Sequence, residues 1–322
     1  MTGSRLLAAI LIAASATLAS AADKFPLRTM EMMVPWGPGG GADNLGRLVA
    51  RWVETDLKAT MPVSNVPGAG GIIGLGRLIH AAPDGHNLGV LTSDTILMAT
   101  LEPDKLKLAD LAVLAVLTRQ ASGFFVRTDS RFKTWADVMA EARTKAVTVA
   151  TTGPNSPDDL AVATVDSKGI RMIPVAYAKP GERYASVLAG HVDLLFEQGG
   201  DVKGYLDAKS LRPLLFFSTV KLAAPFADVP ISADYGYQAV PPQVRAIVVR
   251  AGTDSEAMAA LSKSIARFTA TSTYTDYLRD QLASPDSYMA TAPGAALITR
   301  DIDTLKGMVK SLPPGSQAIG KP

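Results

Sequence analysis

Val34-Pro35-Trp36-Gly37-Pro38-Gly39-Gly40-Gly41-Ala42-Asp43 lies between a short apolar run and an amphipathic stretch, and how it is read decides the fold. Upstream, Glu31 to Val34 is mostly apolar, and downstream Leu45, Leu48, Val49, Trp52 and Val53 recur at helical spacing. The glycines therefore sit at a strand-to-helix corner. Lacking Cβ atoms, they let the backbone approach a ligand, and the N–H groups that open the following helix favour an anion. A second corner of the same kind, Asn65-Val66-Pro67-Gly68-Ala69-Gly70-Gly71, runs into Ile72, Ile73, Leu75, Leu78 and Ile79. Taken singly, each also reads as a tight βα connection punctuated by glycine. Two in succession favour a clamp on one anionic group.

The alternation continues outward from these corners. Strand-like runs fall at Glu31 to Val34, Pro62 to Val66, Asn87 to Leu91 and Val113 to Leu117, with helices expected over Asp43 to Lys58 and Ile72 to Ala81. A second set follows, with strands at Val147 to Ala150, Arg171 to Ala176, Leu194 to Phe196 and Arg212 to Phe217. Its helices are expected over Pro157 to Lys168, Arg183 to Ala189 and Asp201 to Ala208. Val244 to Val249 is a further strand, followed by helices over Ser255 to Thr269 and Ala295 to Leu312. This pattern is an α/β architecture with largely parallel sheets. Chain crossings near Phe125 and Val244 give two lobes joined by a hinge, lobe 1 from 23–124 plus 245–322 and lobe 2 from 125–244.

Composition narrows the class. Met1 to Ala22 has Arg5 in its n-region, an apolar stretch from Leu6 to Ala19 and an Ala19-Ser20-Ala21 cleavage site, the pattern of a secretory signal. Removing it leaves roughly 300 residues, enough for two domains. The net charge of +2 includes Arg5, and Lys and Arg form no basic run, so nucleic acid is excluded as a partner. With no cysteine there are no disulfides, thiolate nucleophiles or Cys-ligated metals. His80, His86 and His191 are not spaced as metal ligands, and neither a metal nor a cofactor is expected.

In open α/β sheets a ligand lies outside the carboxyl ends of the strands. In lobe 1 those ends supply Trp36, Gly37, Gly39, Gly40, Ala42 and Asp43, then Ala69 and Gly70, then Thr92, Ser93 and Asp94. In lobe 2 they supply Thr152, Ser156, Tyr177, Lys179, Glu197 and Gln198. Backbone donors, hydroxyls, an amide and an aromatic suit a small polar anion better than a reaction. No G-x-S-x-G elbow is present, and the carboxylates are accounted for by helix capping or by hydrogen bonds to ligand hydroxyl or amino groups. Asp158 and Asp159, in the first turn of a helix, read as dipole-favoured caps. Lys179 and Arg183 are candidates to pair with a carboxylate, a solvated helix start being the other reading of Arg183. A nucleotide-binding enzyme is the rival, because Gly37 to Ala42 matches G-x-G-x-x-A. Against it, Asn65 stands where a ribose-binding acid is expected, and Pro38 removes a loop N–H.

The stretch Val34 to Asp43, then Pro67-Gly68-Ala69-Gly70-Gly71, then Ala82-Pro83-Asp84-Gly85 resembles the ordered signatures of the Bug-type substrate-binding proteins of tripartite tricarboxylate transporters. The resemblance continues through Tyr177, Leu188 to Leu194 and Ala251-Gly252-Thr253, covering nearly the whole mature chain. It implies a periplasmic, two-lobed Venus flytrap protein, a monomer, that hands a small carboxylate to membrane permease subunits. It also implies that the two glycine loops hold the carboxylate through backbone groups and bridging waters. Thr92, Ser93, Thr152, Ser156, Tyr177 and Gln198 then meet the other end of the ligand. A sensor module that signals to a membrane receptor uses the same clamshell and stands as the alternative. The chain departs from the family at Pro154 and Pro157, in the longer Tyr177-Ala178-Lys179-Pro180-Gly181, and in the acids Asp94 and Glu197.

Overall fold

A computed structural model describes residues 25–177 and 179–313; the expected signal segment 1–22 lies outside them. The first sheet contains β1 (Glu31–Val34), β2 (Val63–Asn65), β3 (Asn87–Thr92), β4 (Leu111–Gln120), β10 (Gln243–Arg250) and β11 (Met289–Ala290), in the order β11-β4-β10-β3-β1-β2. The second contains β5 (Ser122–Arg127), β6 (Val147–Thr151), β7 (Met172–Ala176), β8 (Leu194–Gln198) and β9 (Leu211–Phe216), in the order β7-β6-β8-β5-β9. Both sheets are mixed. Each keeps a parallel trio, β2-β1-β3 and β7-β6-β8, as the βα alternation leads one to expect, and antiparallel strands complete it.

Helices cover both faces of the first sheet, which is why its strands read as continuous apolar runs. On β1, Met32 and Val34 point toward Leu45, Val49 and Val53 of α1 (Gly41–Leu57) and toward Leu261 and Ile265 of α8 (Ser255–Thr269). Met33, one residue out of phase, points to the other face with Leu75 and Leu78 of α2 (Ile72–Ile79). Fully burying one such side chain contributes about 1.5–3 kcal/mol. In lobe 2, Phe124 of β5 lies parallel to Trp135 at a centroid distance of 5.4 Å, while its neighbour Phe125 packs edge-on to Phe216 on the opposite face.

Several helices differ from the sequence expectation, and Ser272–Asp280 is one it does not contain. α3 (Ser93–Leu101) has no polar stripe because almost all of it is buried, so it carries no amphipathic signal. α6 (Pro180–Leu188) and α10 (Thr291–Ser311) begin earlier than expected, with Pro180 and Pro293 in first turns, where a missing N–H costs nothing. The remaining helices are α4 (Trp135–Ala142), α5 (Pro157–Asp166), α7 (Lys203–Asp207) and α9 (Ser272–Asp280). None of the described helices is long and apolar enough to cross a membrane.

Only Ala121 separates β4 from β5, so the chain changes sheets there. It returns to the first sheet with β10. The boundaries expected at 124/125 and 244/245 thus fall inside β5 and β10, since Ser122 already pairs with Gln198 and Gln243 with Gln120. The two crossings run side by side. A single apolar cluster bridges the lobes, from Leu75 and Leu97 on one side to Leu160 and Phe196 on the other.

Candidate functional site

The carboxyl ends of β1 and β3 face those of β6 and β8 across a cleft with a cavity of about 60 Å³. On the lobe 1 side, Trp36, Gly37, Gly40, Gly41 and Ala42 form the wall with Thr92 and Asp94. Helix α1 opens at Gly40 with no side-chain cap, so its first N–H groups stand uncapped where Gly40, Gly41 and Ala42 line the cavity. Trp36 is fixed by a hydrogen bond from its Nε1 to Thr92 Oγ1 at 3.2 Å.

A polar brace behind the loop holds its shape. Asp43 accepts from the Gly39 N–H at 3.0 Å and from Arg47 Nε at 2.9 Å, while Asn65 Nδ2 donates to Asp43 and to the Trp36 carbonyl, both at 2.9 Å. Burial pushes the Asp43 carboxyl up, but the bonds from Arg47, Gly39 and Asn65 outweigh it and leave the group below its ordinary range. Asp43 is thus a support for the loop, set back from the cavity wall.

The second glycine loop takes a different role. Gly71, at φ 92°, abuts Thr95 Oγ1, and a Cβ there would also meet Pro35 at 3.3 Å. A Cβ at Gly70 would lie 2.9 Å from Met98. These glycines let the corner pack on α3 and Pro35, so Ala69 and Gly70 are not on the cavity wall.

On the lobe 2 side, Thr152, Glu197 and Gln198 line the cavity as the strand-end rule predicts, together with Asp158, Arg183, Tyr184 and Asp201. Arg183 reaches from the first turn of α6 to Glu197, and Tyr184 donates to the same carboxylate at 2.9 Å. Arg183 is therefore a buried partner of Glu197 and no solvated helix start. Asp158 accepts from the Thr152 N–H at 2.8 Å. Its carboxyl is raised well above the ordinary value by burial and then by the Asp94 charge. Burial likewise pushes Asp201 up to about 6, although Arg245 opposes it, and the neighbouring Asp159 up to about 7.

Of the other residues expected at the site, Ser93 accepts from the Val244 N–H at 2.8 Å and Ser156 caps α5 by accepting from the Asp159 N–H at 3.2 Å. Tyr177 is half-buried against the lobe 2 core. Lys179 is exposed and pairs with Glu182 at 3.0 Å. Two wall residues come from β10: Gln243, which donates to Asp94 at 2.8 Å, and Arg245, which pairs with Asp201 and donates to Gln120 at 2.5 Å. The signal for Arg245 was present, since a lone charge within the apolar run Val244 to Val249 implies a buried partner. Contacts across the cleft include Arg245 with Asp201 and Thr152 Oγ1 donating to Asp94 at 3.3 Å. Among the described residues, no group of three His, Cys, Asp or Glu side chains is placed to hold a metal ion.

The model of the TctC family, described as "Tripartite tricarboxylate transporter family receptor", matches residues 45–312. A UPF0065 protein of Bordetella bronchiseptica is 28% identical over 269 residues, spanning 82% of this chain and 80% of that protein. A TctC solute binding protein from Polaromonas, solved with no ligand, is similar with a TM-score of 0.68 and 26% identity over 90% of this chain and 100% of that one. MatC from Rhodopseudomonas palustris, solved with bound malate, aligns with a TM-score of 0.75 and 22% identity over 88% of this chain and 100% of that one.

Proposed function

Because the chain belongs to the TctC family, the receptors of tripartite tricarboxylate transporters, we propose that it captures a small carboxylate between its lobes and delivers it to the membrane permease subunits of such a transporter, without a catalytic step. The observation that carries this reading is the uncapped start of α1 behind the loop Gly37 to Gly40, which forms one wall of an interlobe cleft. Backbone N–H groups at a helix start suit a carboxylate, and bridging waters complete the contacts. Malate, held by the R. palustris neighbour, belongs to this ligand class. The leader Met1 to Ala22 directs the chain to the periplasm, where it acts as a monomer.

A cavity of about 60 Å³ is below the roughly 300 Å³ at which ordinary ligand pockets begin, so the lobes must part to admit the ligand. A dinucleotide fits less well still. The amide of Asn65 is engaged by Trp36 and Asp43 and is not directed at a ribose. A thermal-shift screen of carboxylates, phosphates and nucleotides tests the reading. A carboxylate at 100 times its dissociation constant is expected to add about 2.7 kcal/mol. If phosphates or nucleotides raise the melting temperature and no carboxylate does, the reading fails.

A further inference from the structure

The lobe 2 half of the cleft has an excess of carboxyl groups that a second ligand carboxylate would have to face. Resting on the carboxylate reading above, we propose that the ligand is an amino carboxylate, with its carboxylate at the start of α1 and its cationic nitrogen against the acidic wall formed by Asp94, Asp158 and Asp201.

Four carboxyls line the cavity, Asp94, Asp158, Glu197 and Asp201, against two guanidiniums, Arg183 and Arg245. Both guanidiniums are already engaged, Arg183 with Glu197 and Arg245 with Asp201. Neither is left to receive a second carboxylate. Among the described residues, neither Asp94 nor Asp158 forms an ion pair, although the Arg183 charge acts on Asp158. Asp94 accepts from the neutral Thr152 hydroxyl and Gln243 amide, and Asp158 from the Thr152 N–H.

An independent observation points the same way. Asp201 keeps one carboxylate oxygen, Oδ1, without a hydrogen-bond partner among the described residues, although its side chain is only 7% exposed and lines the cavity. A buried anionic oxygen is costly when unmatched, and a ligand N–H donor bearing positive charge would satisfy it. A dicarboxylate would add a further buried anion instead.

The test is calorimetric titration of the full mature chain with length-matched probes. Succinate and β-alanine share a two-methylene spacer and differ only in carboxylate against ammonium. Malonate with glycine and glutarate with 4-aminobutyrate extend the series, and propionate and propylamine are single-ended controls. The ammonium member of at least one pair is expected to bind 10-fold or more tightly than its dicarboxylate. Asp158→Asn and, separately, Asp94→Asn should each shrink that ratio toward one, with melting temperatures confirming that the variants fold. Dicarboxylates binding as tightly as their ammonium counterparts overturn the inference and leave the carboxylate reading standing. Propylamine binding without any carboxylate, or no response across the panel, overturns both.

Discussion

The glycine loop of lobe 1 presents backbone to the cavity, with Asp43, Arg47 and Asn65 bracing it from its far side, whereas the rest of the wall, Asp94 and Arg245 from lobe 1 and Asp158, Arg183, Glu197 and Asp201 from lobe 2, presents charged side chains. The first arrangement offers peptide N–H groups whose geometry is fixed and whose sign cannot change. The second offers side chains whose charge depends on burial and on one another. The loop's chemistry thus suits an anion of any shape, and the side-chain wall suits discrimination among ligands.

The largest expected effect breaks the lobe 2 wall. Arg183→Leu leaves Glu197 buried without its cation, and a loss of about 3–5 kcal/mol in urea unfolding is expected. A loss below about 1 kcal/mol would show that the charges of this wall are independent of one another.

Next comes acidity. The folded Asp159 carboxyl, pushed up to about 7, binds its proton more tightly than in the unfolded chain, where the ordinary value is 3.8. Its contribution is therefore intact below about pH 4 and is lost as pH rises toward about 7. Asp159→Asn removes this slope. The variant should gain on the parent by about 2–4 kcal/mol at pH 8 and by little at pH 4, as read from denaturant midpoints at both pH values. Equal differences at the two pH values would refute the buried, protonated carboxyl.

The lobe 1 wall is probed by Gly41→Ala. A Cβ there overlaps the Arg245 guanidinium and falls 2.5 Å from Asp201 Oδ1, so the strain lies in the closed arrangement. Overpacking of this kind costs about 1–3 kcal/mol, which corresponds to roughly a 5- to 150-fold weaker carboxylate affinity by calorimetry. Unchanged affinity would mean that the lobes do not close at this point. The smallest effect is expected at Lys179→Ala, outside both walls: less than about 0.5 kcal/mol in stability and ligand affinity within about twofold. A larger loss of affinity would bring Lys179 back into the site.

Much of the fold was legible because apolar periodicity is local: β1 with α1, and β6 with α5, announce themselves within a dozen residues. Strand-end reasoning likewise found Trp36, Thr92, Thr152 and Gln198, whose place on the wall follows from topology alone. The pairings were not legible. Arg245 meets Asp201 and Arg183 meets Glu197 through separations fixed by tertiary packing, and nothing in either neighbourhood names the partner. The two glycine corners show the same limit. Their sequences are alike, but Thr95, Pro35 and Met98 press on the second and turn its glycines to packing.

The place of β10 in the first sheet also bears on the order in which the chain can fold as it is made. It lies between β3 and β4, so the middle of that sheet arrives only when residue 250 does. The strands of lobe 2 all fall within 122–216 and can pair earlier. A long-range central strand delays closure of its sheet, because the loop it closes must be traversed first. The two halves of the lobe 1 sheet are thus kept apart until about three-quarters of the chain has been synthesised, and its edge strand β11 arrives later still.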